Sequence, residues 1–152
     1  MALTIQPDNK YYLVVVADES KAVLYTRRNL RGPLQEQCSF ENEAARLKTE
    51  DLLADRGGRS FDSHGQGRHT MTAEKSDPKQ HIAEGFARQV VEHIATQQHK
   101  GVLRGYALVA APRFLGLLRA QLASRVNDEP YATVDKNVVG QSDDVITSLL
   151  EG

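Results

Sequence analysis

A chain of 152 residues with 40% hydrophobic and 26% charged side chains is sized and composed for one core-forming domain, which excludes a disordered polymer. Nineteen basic residues against twenty acidic ones leave a net charge of −1. That balance excludes a protein that coats nucleic acid through a general basic excess, although it leaves room for a local basic patch. The single cysteine, Cys38, rules out an internal disulfide and favours a reducing compartment.

The N-terminal MALTIQPDNK has no basic segment followed by an apolar one, so no signal peptide is expected. The strongest apolar stretch, Leu13 to Ala17, is far short of the ~20 residues that span a bilayer. A soluble, cytoplasmic protein without membrane contact is therefore expected. Tyr11 to Ala17 (YYLVVVA) is a continuous β-branched and aromatic run, the pattern of a strand covered on both faces. Asp18-Glu19-Ser20 supplies turn chemistry, and Ala22 to Arg27 returns as the second strand of a hairpin. After a turn at Asn29 to Pro33, Leu34 to Phe40 reads as a third, more polar edge strand.

Asn42 to Ala54 carries helix formers, with Ala45, Leu47, Leu52 and Leu53 loosely on one face and Gly57 as a stop. A segment without clear periodicity, residues 55 to 79, separates it from the next helix, and loops of that length inside a compact domain usually carry function or stay disordered. Asp77, Pro78 and Gln80 have the form of a capping box with proline in the first helical position. Ile82, Phe86, Val90 and Ile94 then recur four apart as one apolar stripe, and Gly101 lies beyond the helix end. Tyr106 to Ala111 is a second buried strand, and Pro112 opens a helix to Arg125 with Phe114, Leu117, Leu118, Leu122 and Val126 inward. Tyr131 to Val134 is a short strand. Asp143 to Leu150 closes the chain as a helix with Val145, Ile146, Leu149 and Leu150 together. A meander followed by βαβ units implies a mixed sheet flanked by helices, an α/β fold spanning residues 1 to 152 as one domain.

The chemistry concentrates in DRGGRSFDSHGQGRH, Asp55 to His69. Gly57, Gly58, Gly65 and Gly67 free the backbone and expose its N–H groups. Arg56, Arg59 and Arg68 offer planar forks for phosphate or carboxylate, and Ser60, His64 and His69 add polar groups. Such a loop can hold an anion such as an RNA backbone; equally, its arginines can pair with Asp55 and Asp62 while the glycines only permit bends. The loop has neither the GxxxxGK[ST] nor the GxGxxG pattern. Asp62, His64 and His69 match no strong zinc spacing, so no metal and no cofactor is expected. Asp18 ends the first strand, but the strand Tyr106 to Ala111 carries no acid and Asp135 lies past the last strand. A two-metal nuclease is thus poorly supported, and Asp18 reads as a turn residue. No GxSxG occurs, and Cys38 has no histidine near it in sequence. Arg113, at the start of a helix after a buried strand, stands where α/β sheets often place ligand groups, although a solvated arginine there is common.

The segments DRGGRSFDSHGQGRH, DPKQHIAEGFARQVVEHI, YALVAAPRFLGLLR and VDKN together resemble the bacterial host attachment protein family, described as proteins required for attachment to host cells. The likeness runs from Tyr11 to near Leu150. That family in turn resembles the middle domain of archaeal and eukaryotic peptide-chain release factors and Pelota, which implies an RNase H-like mixed sheet. It also implies that residues 55 to 79 correspond to the loop bearing the release-factor Gly-Gly-Gln. Here that loop holds Gly57-Gly58-Arg59 and Gly65-Gln66-Gly67; the triplet itself is absent. The resemblance implies two roles. One is a non-enzymatic binding protein that contacts the ribosome, tRNA or another anionic partner through the loop, with the host cell surface a partner by family description only. The other is a hydrolase of peptidyl-tRNA or another ester, with Gln66 positioning water. The sequence leaves the oligomeric state open.

Overall fold

The computed structural model describes residues 9–47 and 78–151. Strands β1 (Tyr11–Ala17), β2 (Lys21–Arg27) and β3 (Gln35–Glu41) form an antiparallel meander. Helix α1 (Pro78–His99) leads to β4 (Leu103–Ala110), α2 (Pro112–Arg125), β5 (Ala132–Val134) and α3 (Asp143–Glu151). The five strands make one sheet in the order β3-β2-β1-β4-β5, with β4 parallel to β1 and β5 parallel to β4. The fold is α/β with a mixed sheet flanked by helices, as the element order implies.

The uninterrupted apolar run of β1 reflects its central place. Leu13, Val15 and Ala17 face one core with α1 and α2, while Val14 and Val16 face a second core that holds Ile146 of α3. Along α1, Phe86, Val90 and Ile94 are buried, joined by Ala83, Ala87 and Val91. Burying each large member of that stripe contributes roughly 1.5–3 kcal/mol before entropy is subtracted. Phe86 packs between Phe40 of β3 and Phe114 of α2, with centroids 5.6 and 5.8 Å away. His93 stacks flat on Phe40 at 4.6 Å, which gives the polar side of α1 a hold on the edge strand. A second hold comes from Gln97, whose amide exchanges hydrogen bonds with that of Gln37 and accepts one from Tyr11 Oη at 2.7 Å. Gly101 ends α1 at φ +76°, with its N–H on Gln98 O and the Val102 N–H on Gln97 O, a Schellman closure.

Several boundaries and faces differ from the sequence expectation. The strand expected at Tyr106 to Ala111 starts at Leu103 and ends at Ala110, because β1 offers register partners from Tyr11 onward. Leu115 is buried on α2 while Leu117 is only half-buried, since the helix presents its Phe114–Leu115–Leu118–Leu122 stripe to the sheet. Val145 is exposed at 38% and Ile146 alone of α3 is fully buried. Ile82 is half-buried, at the end of α1 rather than in its packed middle. The strand expected from Tyr131 begins at Ala132, and the third strand runs Gln35–Glu41, at the edge of the sheet as expected. Of the helix expected at Asn42 to Ala54, residues 43–47 are helical and 48–54 lie outside the described residues. Residues 55–77 of the expected loop lie outside them too, while Pro78 and Lys79 belong to the first turn of α1.

Candidate functional site

Parallel strands β1 and β4 end side by side, and the chain leaves them in different ways. β1 turns back as a hairpin at residues 18–20, and β4 passes through Ala111 into α2. A crevice at the carboxyl ends of adjacent strands whose connections diverge is where α/β sheets place ligands. A cleft of about 670 Å³ opens there, lined by Asp18, Glu19, Ser20, Asn42, Ala45, Lys79, Ile82, Ala83, Ala111, Pro112, Arg113 and Asn137.

Its walls follow from local sequence. Asp18 Oδ1 accepts the Ser20 N–H at 2.8 Å, the Ser20 hydroxyl at 2.9 Å and the Lys21 N–H at 2.9 Å. Its Oδ2 accepts from Asn137 Nδ2 at 3.2 Å. Burial pushes the carboxyl pKa up, but these four hydrogen bonds outweigh it and hold the group below the usual carboxylate value. Asp18 is thus the hairpin-turn residue that its sequence position suggests. Asn42 is 6% exposed and ties three elements together. Its Nδ2 donates to Glu19 O at 2.9 Å and to Ile82 O at 3.5 Å, and its Oδ1 caps the following helical residues through the Ala45 N–H.

Helix α2 enters the cleft with Pro112 in its first turn and Ala111 as its N-cap, which makes no side-chain capping hydrogen bond. The positive end of its dipole therefore faces the cleft. Arg113 is exposed on that first turn, with its Nη2 3.5 Å from Gln80 Oε1. The Gln80 amide also donates to Glu84 at 3.0 Å. Chemically the cleft offers an apolar floor of Ile82, Ala83 and Pro112, the cations of Lys79 and Arg113, the carboxylate of Glu19, and the turn carboxylate of Asp18, whose charge is already met by four donors.

Of the site residues expected from sequence, Arg113 lies in this cleft. Arg56, Gly57, Gly58, Arg59, Ser60, Asp62, His64, Gly65, Gln66, Gly67, Arg68 and His69 lie outside the described residues. The stretches on both sides of 48–77 reach the cleft, through Ala45 on one side and Lys79 on the other. Asn42 and Asn137 escaped the sequence reading, because neither stands in a chemistry-bearing motif. The available signal was modest: Asn42 follows a strand and precedes helix formers, and Asn137 closes the VDKN segment. Among the described residues, no three His, Cys, Asp or Glu side chains come together as a metal site. No described helix is long and apolar enough to cross a membrane.

No curated protein matches the chain. The family model described as "Protein required for attachment to host cells" matches residues 13–150, and the chain belongs to that family.

Proposed function

We propose that the protein serves host attachment as a binding protein rather than as an enzyme. In this proposal it takes an anionic partner, an RNA backbone foremost, at the cleft beyond β1 and β4. One convergence supports this: Arg113, the start of α2 and the described stretches on both sides of residues 48–77 all line the same cleft. Arg56, Arg59 and Arg68 would then add their forks to the binding surface. On the release-factor likeness, the same segment corresponds to the loop that carries Gly-Gly-Gln in those proteins. The absence of the triplet here favours binding over ester hydrolysis, and a cytoplasmic location fits a ribosome or tRNA partner.

The test pairs two measurements. Co-sedimentation with ribosomes is followed across a salt series for wild type and for the Arg59→Ala, Arg68→Ala, Arg113→Ala triple variant. Peptide release from peptidyl-tRNA is measured for wild type and Gln66→Ala. The expected result is salt-sensitive sedimentation whose slope falls in the triple variant, with no release by either protein. An unchanged slope sinks the anion-binding role, and Gln66-dependent release replaces it with the hydrolase.

A further inference from the structure

At the opposite end of the sheet from the cleft, on the face that carries α3, β2 finishes with a charged residue in its inward phase. Arg27 follows Val23 and Tyr25 in alternation and is 4% exposed. Its cross-strand neighbour is Tyr12. The ring of Tyr131 lies beyond, over Gly105 of β4, where an added Cβ would stand 3.3 Å from Tyr131 Cδ2 and 3.5 Å from Tyr12 Cδ1. The two tyrosines meet edge to face with centroids 5.7 Å apart. Arg27 Nη2 donates to Tyr131 Oη across a long 3.4 Å, while Nε and Nη1 are buried with no hydrogen-bond partner among the described residues. The ion pair of Arg46 with Glu43 lies elsewhere.

A buried guanidinium carries its charge and five donors into the interior, and leaving them unmet is among the costliest arrangements a fold can hold. Orphaned buried donors in native proteins call for a partner. The planar fork of arginine matches the paired oxygens of a carboxylate or phosphate. We propose that Arg27 anchors an oxyanion-binding site, in which carboxylate or phosphate oxygens take the Nε–H and Nη2–H fork once the Tyr131 hydroxyl lets go. Tyr131 is itself 40% exposed, so rotation of its ring is the route from solvent to the guanidinium. The site stands apart from the cleft beyond β1 and β4 and does not rest on the function assigned there.

The test is thermal unfolding of the full chain, with wild type, Arg27→Met and Tyr131→Phe titrated with inorganic phosphate, with acetate, and with chloride at matched ionic strength. A hundredfold excess of the preferred anion over its dissociation constant raises the wild-type midpoint by roughly 5–10 °C, in a saturable way. Arg27→Met shows no saturable rise and, without anion, melts no lower than wild type, because an apolar side chain of similar length removes an unpaired buried charge. Tyr131→Phe keeps the response. The phosphate and acetate arms tell the two oxyanions apart. Equal responses in wild type and Arg27→Met overturn the proposal, as does an Arg27→Met protein that melts well below wild type and ignores both anions. Should Arg27→Met fail to fold, calorimetric titration of wild type with both anions decides, and absence of saturable heat overturns it.

Discussion

The turn carboxylate of Asp18 allows a sharp test of how the cleft is held together. Replacing it with asparagine removes the negative charge and leaves one amide oxygen to meet donors that now reach two carboxylate oxygens. Hydrogen bonds to a charged acceptor contribute about 1.5–3 kcal/mol in favourable settings. Those from Ser20 and Asn137 are exposed, whereas that from the Lys21 N–H is partly buried. Water replaces the exposed ones readily, so the expected loss for Asp18→Asn at neutral pH is about 1–2 kcal/mol in all. The sign with pH follows from the lowered folded pKa. The contribution is fully present above the unfolded value of about 3.9 and is lost as pH falls through the folded value. Urea unfolding of both proteins at neutral pH and again well below pH 3 measures the gap between them. It should be clear at neutral pH and largely close in acid. A gap that stays the same at both pH values would refute the charge-assisted turn and leave Asp18 a residue of shape alone.

Gly101→Ala places a side chain at φ +76° with no atom within 4 Å of the new Cβ, so its cost is conformational, about 1–2 kcal/mol, or a few degrees in the melting midpoint. Gly105→Ala instead meets the rings of Tyr131 and Tyr12 at 3.3 and 3.5 Å, and an equilibrium loss of roughly 1–3 kcal/mol is expected with a change in the tyrosine near-UV circular dichroism. Tyr106 donates its hydroxyl to Asp128 O at 2.7 Å. Burial, with the Asp128 and Glu129 charges behind it, pushes its phenol up to about 12, so spectrophotometric titration should find one tyrosine that ionises only near that pH and that disappears in Tyr106→Phe. The Cys38 thiol is pushed up by burial and then by Glu36, so its alkylation at neutral pH should be slow in the folded protein and accelerate on unfolding. A fast-reacting native thiol would contradict that placement.

Local periodicity carried the elements. The β-branched run of β1, the four-residue spacing of Phe86, Val90 and Ile94, and the proline–glycine punctuation around α1 and α2 report interactions between residues close in sequence. A chain-order reading therefore recovers them to within a few positions. The same logic placed Arg113 in the first turn of a helix beyond a buried strand, because a buried strand followed by proline and a helix is a local pattern with one spatial consequence. It also read Asp18 correctly, since an Asx-type turn is made by its own neighbours.

The rest was settled by which strands lie side by side. Only the order β3-β2-β1-β4-β5 sets the ends of β1 and β4 against each other and so makes the cleft. Only that juxtaposition brings Asn137 to Asp18 across 119 residues of sequence. Arg27 shows the limit most clearly. Its phase beside Val23 and Tyr25 was present in the sequence, but a strand end is usually solvated. It is the span of Tyr131 across Gly105 and Tyr12, a contact between β2 and the approach to β5, that buries its charge. Hydrophobic pattern fixes what each segment is, because that is decided over one or two turns. The charge environment of a side chain depends on neighbours far away in the chain, and only tertiary packing supplies them.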